Sequence, residues 1–341
     1  MGVHFGGVTL LNKVLFGPAG YPSDARGGVK RVFQILVDSG LTALEYAAVH
    51  GLKTSKEKAK MIGNLARESG VSMSLHAAYY ISLASRTQSV RETSKERLRK
   101  ALRFAPLMNV KRIVFHPGYL GGLTKEEAHT VIRDALRSVW EIAGDLGGGA
   151  LLAPETAGKL SAYGSIDQII RLCQDVEGCI PTIDWAHIYA RHQGDFREKH
   201  NYLKVLTRFE NELGELFLKN MHFHVSGITF TEKGEAAHRP LGEEWGPDIL
   251  LRILRLRGVG VGLLAGAGLL DQDYGDDVSH PPRLGILKQG YLLAGLKDRA
   301  LGRRWQHLRL GTGRRIAQLI LRRHCTCLQQ RHYRSQHRQP E

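Results

Sequence analysis

Short apolar runs alternate with longer amphipathic stretches through most of the chain. Runs of four to seven residues rich in Val, Ile, Leu and Phe predict buried strands. They fall at Lys13–Gly17, Ala43–Ala47, Ser72–His76, Arg112–His116, Leu151–Glu155, Pro181–His187, Met221–Val225 and Gly260–Gly266. The intervening stretches repeat apolar residues at three and four positions, as Val29, Val32, Phe33 and Leu36 do, which is the period of a helix with one face on a core. Helices are expected over Gly28–Ser39, Lys56–Ser69, Val90–Pro106, Lys125–Gly144, Ser165–Val176, Tyr202–Glu215 and Pro247–Leu256, with another around Tyr291–Leu296. Strands that alternate with helices form parallel βαβ units, and eight such strands close a barrel. The expected fold is an α/β TIM (β/α)8 barrel over residues 1–296. An open doubly wound sheet is the rival, but no Gly-x-Gly-x-x-Gly follows an early strand.

The polar residues that end these runs are of one kind. His76 closes the third, His116 the fourth, Glu155 the fifth, Asp184 the sixth and His224 the seventh. In a barrel those ends meet on one face, where active sites are built. Asp184 and His187 stand three apart, so they cannot share one side of a regular strand. Asp184 is placed at the last inward position and His187 in the loop beyond. His238 is placed in the loop after the seventh strand. One His at a strand end is ordinarily a hydrogen-bonding residue; five consecutive strands ending in His, Glu or Asp predict a metal site. Imidazole and carboxylate suit zinc, with manganese or iron as second choices. His222 lies two residues deeper than His224 and is expected to support the site rather than ligate.

At these residues the chain resembles the endonuclease IV family, the zinc-dependent apurinic/apyrimidinic endonucleases. The phrases are Leu-His-Ala-Ala-Tyr-Tyr-Ile-Ser-Leu-Ala-Ser (75–85), Val-Phe-His-Pro-Gly (114–118), Pro-Glu-Thr (154–156), Ile-Asp-Trp-Ala-His (183–187) and His-Phe-His-Val-Ser-Gly (222–227). The resemblance implies a TIM barrel holding two to three zinc ions. It implies hydrolysis of the phosphodiester 5′ to abasic sites in double-stranded DNA by a zinc-activated hydroxide, leaving a 3′-hydroxyl. It places His76, His116 and Glu155 on a first zinc, Glu155, Asp184 and His224 on a second, and His187 and His238 on a third. Glu155 is then the catalytic bridging carboxylate. Two family ligands are missing: Ala236 stands where the family often has Asp, with Glu235 adjacent, and Gly266 stands where it has Glu, with Asp271 and Asp273 further on. Tyr79 and Tyr80 are expected to stack on the opened duplex. Lys53 and Arg191, with His50, Lys56 and Arg197, are expected at DNA phosphates. Two alternatives stay open. One is a metal-dependent sugar isomerase or epimerase of the same barrel type; the other is a damaged-DNA binder that has lost turnover.

Charge changes the picture only at the end of the chain. The net charge is +15, and from Lys297 onward twelve Lys and Arg face only Asp298 and Glu341. Residues 297–341 are expected to be a basic extension with affinity for polyanions. The longest uncharged apolar run, Gly258–Leu270, falls short of the about 20 residues of a membrane span. No leader pattern is visible at the start, and four cysteines make no disulfide framework. The expectation is a cytoplasmic monomer that acts on DNA and not on membranes.

Overall fold

The structure is a computed structural model that describes residues 15–22, 25–239 and the backbone of 262–265. It forms the TIM barrel expected from the alternation. The barrel strands are β1 (Leu15–Pro18), β2 (Ala43–Ala47), β3 (Ser72–His76), β4 (Val110–Phe115), β5 (Leu151–Pro154), β6 (Ile183–Asp184), β7 (His222–Val225) and, after a hairpin, β10 (Gly262–Ala265). Two parallel ladders run β2-β3-β4-β5 and β6-β7-β10-β1. Single parallel bridges join them, Ala19 to Glu45 on one side and Leu152 to Cys179 and Glu155 to Thr182 on the other. Among the described residues the ring is therefore closed, with no barrel edge left to pair with another chain.

The helices around it are α1 (Val29–Asp38), α2 (Lys56–Glu68), α3 (Gln88–Met108), α4 (Lys125–Ala143), α5 (Ile166–Asp175), α6 (Trp185–Arg191), α7 (Lys199–Leu213) and α8 (Glu215–Asn220). Several begin on side chains that satisfy the free N–H groups of a first turn. Ser55 accepts from Lys58, and Thr124 with Glu127 and Ser165 with Gln168 form reciprocal capping boxes. The third helix outruns its expected end at Pro106 by two residues. It closes at Asn109, whose left-handed backbone (φ 55°) returns its N–H to Ala105. Pro106 has no N–H to give the Leu102 carbonyl, and the helix ends two residues beyond it.

Core side chains such as Leu36, Ile62, Leu102, Leu136 and Leu172 are wholly buried between helices and sheet. Close approach fixes two glycines. A Cβ on Gly17 would lie 1.7 Å from the Ala43 carbonyl, and one on Gly63 would lie 2.1 Å from that of Leu107. Inside the barrel a small separate group, Val114, Ala153 and Ile180, fills the space under the mouth.

Two expectations need correction. His187 is not in a loop: the chain turns straight from β6 into α6, and His187 sits in that helix's first turn. His238 is not in a loop either. It lies on β9 (Gly234–Arg239), which pairs antiparallel with β8 (Gly227–Thr231). The expected helix at Pro247–Leu256, the one near Tyr291, Gly266, Asp271, Asp273 and the basic extension lie outside the described residues.

Candidate metal centre

Residues two apart on a strand share a face, so the barrel interior receives Ser74 and His76 from β3, His222 and His224 from β7, and Ala153 followed by Glu155 from β5. Glu155 is 1% exposed and stands at the centre. Its Oε2 is 3.1 Å from His76 Nε2 and 3.4 Å from His116 Nε2; its Oε1 is 2.7 Å from His224 Nδ1 and 3.7 Å from His187 Nδ1. Side chains from β3, β7, the end of β4 and the first turn of α6 thus meet at one carboxylate at the end of β5.

Beside it, Asp184 caps α6 by accepting the His187 N–H at 2.8 Å. Trp185, packed on Phe196, Tyr202 and Phe223, holds that first turn in place. His187 Nδ1 lies 2.8 Å from the Thr156 carbonyl, which can only accept, so this nitrogen carries the proton. In the neutral ring His187 Nε2 presents a lone pair 3.1 Å from His238 Nε2. The other nitrogen of His238 is engaged by Ser226 Oγ at 2.7 Å.

The hairpin brings one more carboxylate. Its ladder passes from Phe230–Glu235 to Thr229–Ala237 and leaves Ala236 unpaired. One extra residue in a strand shifts the alternation of faces. Glu235 therefore joins His238 on the side facing His187, with Oε2 3.5 Å from His187 Nε2 and Oε1 3.7 Å from His238 Nε2. Ala236 is exposed. Gly158 makes room for this approach, because a Cβ there would stand 2.6 Å from Glu235 Cβ and 3.2 Å from His187 Cδ2.

The donor set fits divalent cations. His76 also commits Nδ1 to a carbonyl, that of Ala77 at 2.9 Å, so its Nε2 lone pair faces Glu155. A lone pair against a carboxylate is repulsive unless a proton or a cation lies between them. Four overlapping triplets have ligand atoms within 4.8 Å of one another: Glu45–His222–His224, His76–Glu155–His224, His116–Glu155–His187 and Asp184–His187–His238. Without a cation, protons carry the positive charge. Burial opposes it, but Asp184, Glu235 and Glu155 push the His187 imidazole up to about 9. Against the same opposition, Glu45 and Glu155 hold His224 well above its ordinary range. Burial works against the Glu155 carboxylate too, and His224 and His116 hold it well below the usual range. His116, whose burial is less well compensated, is pushed down to about 4.

The sequence profile of the xylose isomerase-like TIM barrel family matches residues 33–264. The chain belongs to that family. Among its relatives the uncharacterized protein MJ0133 of Methanocaldococcus jannaschii is 33% identical over 67% of this chain and 82% of its own length. A probable endonuclease 4 of Halothermothrix orenii is 26% identical over 56% of this chain and 69% of its own. Among solved structures, endonuclease IV from Thermus thermophilus superposes with a TM-score of 0.58 at 21% identity, covering 74% of this chain and 91% of its own. A D-psicose 3-epimerase superposes at 0.53 with 14% identity over 74% and 85%. At such identities the structures establish the shared barrel.

The other expected site residues are placed unevenly around this barrel mouth. Tyr79 stands at the cluster, its ring 5.3 Å from that of His76 and 6.4 Å from that of His116. Tyr80 does not join it; its ring lies under the Arg97 guanidinium at 4.2 Å. Arg191 turns Nη1 to the carbonyls of Ala157, Lys159 and Ala162, which pins the loop after β5. Arg197 bonds the Tyr189 hydroxyl at 2.6 Å. Lys53, His50 and Lys56 are exposed in or just after the loop that follows β2. Sequence reasoning missed Glu45, a wholly buried carboxylate on β2 below His224. The available signal was a lone charge inside the apolar run Ala-Leu-Glu-Tyr-Ala. Among the described residues no helix is long and apolar enough to cross a membrane.

Proposed function

We propose that this member of the xylose isomerase-like TIM barrel family is a zinc-dependent phosphodiesterase that cuts double-stranded DNA on the 5′ side of abasic sites and leaves a 3′-hydroxyl. The observation that carries the reading is Glu155, held between His76, His116 and His224 with the Asp184–His187–His238 group beside it. The similarity to probable endonuclease 4 sequences supports it.

His76, His116 and Glu155 would hold one zinc, Glu155, Asp184 and His224 a second, and His187 and His238 with Glu235 a third. When bound, zinc neutralises phosphate oxygens and makes water acidic enough to be a nucleophile near neutral pH. The chain's own residues do the rest. Glu155, ionised and gripped from both oxygens, keeps the ligands of neighbouring strands in register at the phosphorus. The Thr156 and Ala77 carbonyls fix which nitrogens of His187 and His76 face inward. Tyr79 offers an aromatic face at the rim for the sugar or base next to the lesion, and an abasic nucleotide is cheap to flip because nothing stacks or pairs with it. Lys53 meets a phosphate. The protein works as a monomer.

The test is incision of a duplex carrying one abasic site, with and without chelator, beside assay of a ketose sugar for 3-epimerisation. The proposal expects two to three zinc per chain by elemental analysis, cutting abolished by chelation and restored by zinc, and no epimerisation. Epimerisation without cutting would overturn it.

A further inference from the structure

Below the mouth, a second group of buried polar side chains lies inside the barrel. Glu45 (β2) is fully buried. Its Oε2 accepts from Ser74 Oγ at 2.8 Å and faces His222 Nε2 at 3.4 Å; its Oε1 lies 3.1 Å from His224 Nε2. On the far side of His222, Nδ1 faces an Arg112 Nη at 3.4 Å.

The order of donors along this chain is forced. Arginine can only donate, so His222 Nδ1 accepts and His222 Nε2 carries the proton toward Glu45. Ser74 donates to the same oxygen. Glu45 therefore acts as an ionised acceptor, the counter-charge to the Arg112 guanidinium. Its other oxygen has one polar neighbour, His224 Nε2. Both atoms are buried and neither has an aligned hydrogen bond, so their 3.1 Å approach is a charge contact. The carboxylate favours a proton on that nitrogen. His224 Nδ1, 2.7 Å from the ionised Glu155, is then the nitrogen whose proton a cation at the mouth would displace.

We infer that Glu45 is a positioning residue that fixes the Nε2–H form of His224 and so presents Nδ1 as a metal ligand. Glu45 stands behind the ring, since its Oε1 meets Nε2 on the side of the imidazole away from Nδ1 and Glu155. A carboxylate behind a ligating imidazole raises its basicity and fixes its ring, and losing such a partner ordinarily weakens metal binding by about 10–100-fold. This inference rests on the metal-centre reading above, with His224 as one of its ligands.

The experiment compares the full-length wild type with E45Q, E45D and H224A. It measures zinc content and zinc affinity against a competing chelator, and the His224 tautomer in the zinc-loaded protein by nitrogen–proton correlation of the imidazoles. The expected result is about one zinc fewer per chain, or a 10–100-fold weaker site, in E45Q. E45D, which keeps the charge, should recover part of the loss, and wild-type His224 should show Nε2–H. Unchanged zinc binding in E45Q beside a clear loss in H224A would overturn the inference and leave the metal centre standing. So would an Nδ1–H form in the wild type, a result that stands even if E45Q does not fold. No zinc bound by the wild type, or no effect of H224A, would overturn the metal-centre reading and this inference with it.

Discussion

Asp184 Oδ1 accepts the backbone N–H of His187 at 2.8 Å, so one carboxylate both starts α6 and faces the His cluster. The two roles separate by substitution. Asn caps a helix about as well as Asp, whereas Ala loses about 1 kcal/mol. Chelated D184N should keep the cap but lose the charge that raises His187, and chelated D184A should lose both and melt lower than D184N by an amount matching the cap. Both should bind zinc more weakly in a chelator titration. Equal melting of the two variants would remove the capping role.

Glu155 should be the least replaceable side chain. E155Q preserves the shape but puts a neutral amide among four imidazoles. Zinc content should fall by at least one ion per chain. Incision should drop by about a thousandfold or more, a barrier change of about 4 kcal/mol. Retention of full zinc by E155Q would contradict the bridging role.

Zinc binding should release protons. With its imidazole raised to about 9, His187 is protonated at pH 7 in the metal-free protein, and a ligand nitrogen must be free of its proton. Affinity should therefore climb with pH and level off above about 9. Calorimetry in buffers of different ionisation heat measures the protons released. The stability of the chelated protein carries the opposite sign. A group raised from 6.5 to about 9 on folding stabilises fully below 6.5, and that share is lost as pH rises through about 9. Chelated wild type should lose melting temperature across that window, and H187A should lose less.

Gly158 leaves no room for a methyl group beside Glu235 and His187. G158A should displace the hairpin and empty the third site, while the ligands around Glu155 stay occupied. One zinc fewer per chain, with the circular dichroism spectrum unchanged, is the expected outcome. E235Q should give the same loss through charge alone.

At the DNA surface, K53A should weaken binding to all duplexes alike and reduce the slope of log affinity against log salt by about one. Y79A should cost about 1–3 kcal/mol of binding to abasic duplex, the range of a lost stacking contact. Y80A should cost less, because Arg97 already covers that ring. Titration by fluorescence anisotropy at several salt concentrations separates the three.

The barrel was legible because its strands are short apolar runs with turn residues at both ends. The observed bounds of Ala43–Ala47 and Ser72–His76 match the expectation residue for residue. The convergence of His76, His116, Glu155, Asp184 and His224 followed from the barrel itself, which brings strand ends together. The first turn of α6 was not legible, since Trp185 to Ala190 are all buried and show no polar face to mark a helix. The β8–β9 hairpin was missed because its two-residue turn, Glu232-Lys233, lacks the Asn-Gly or Asp-Gly that announces such turns. Glu45 was missed because a strand buried on both faces gives no reason to expect a charge, and its partners lie 29 and 179 residues away.

The unpaired Ala236 separates place along the chain from place in space. By count alone Glu235 and His238 would face opposite ways. One surplus residue swings the backbone round, so both look toward His187 while the Ala236 methyl between them is left to solvent.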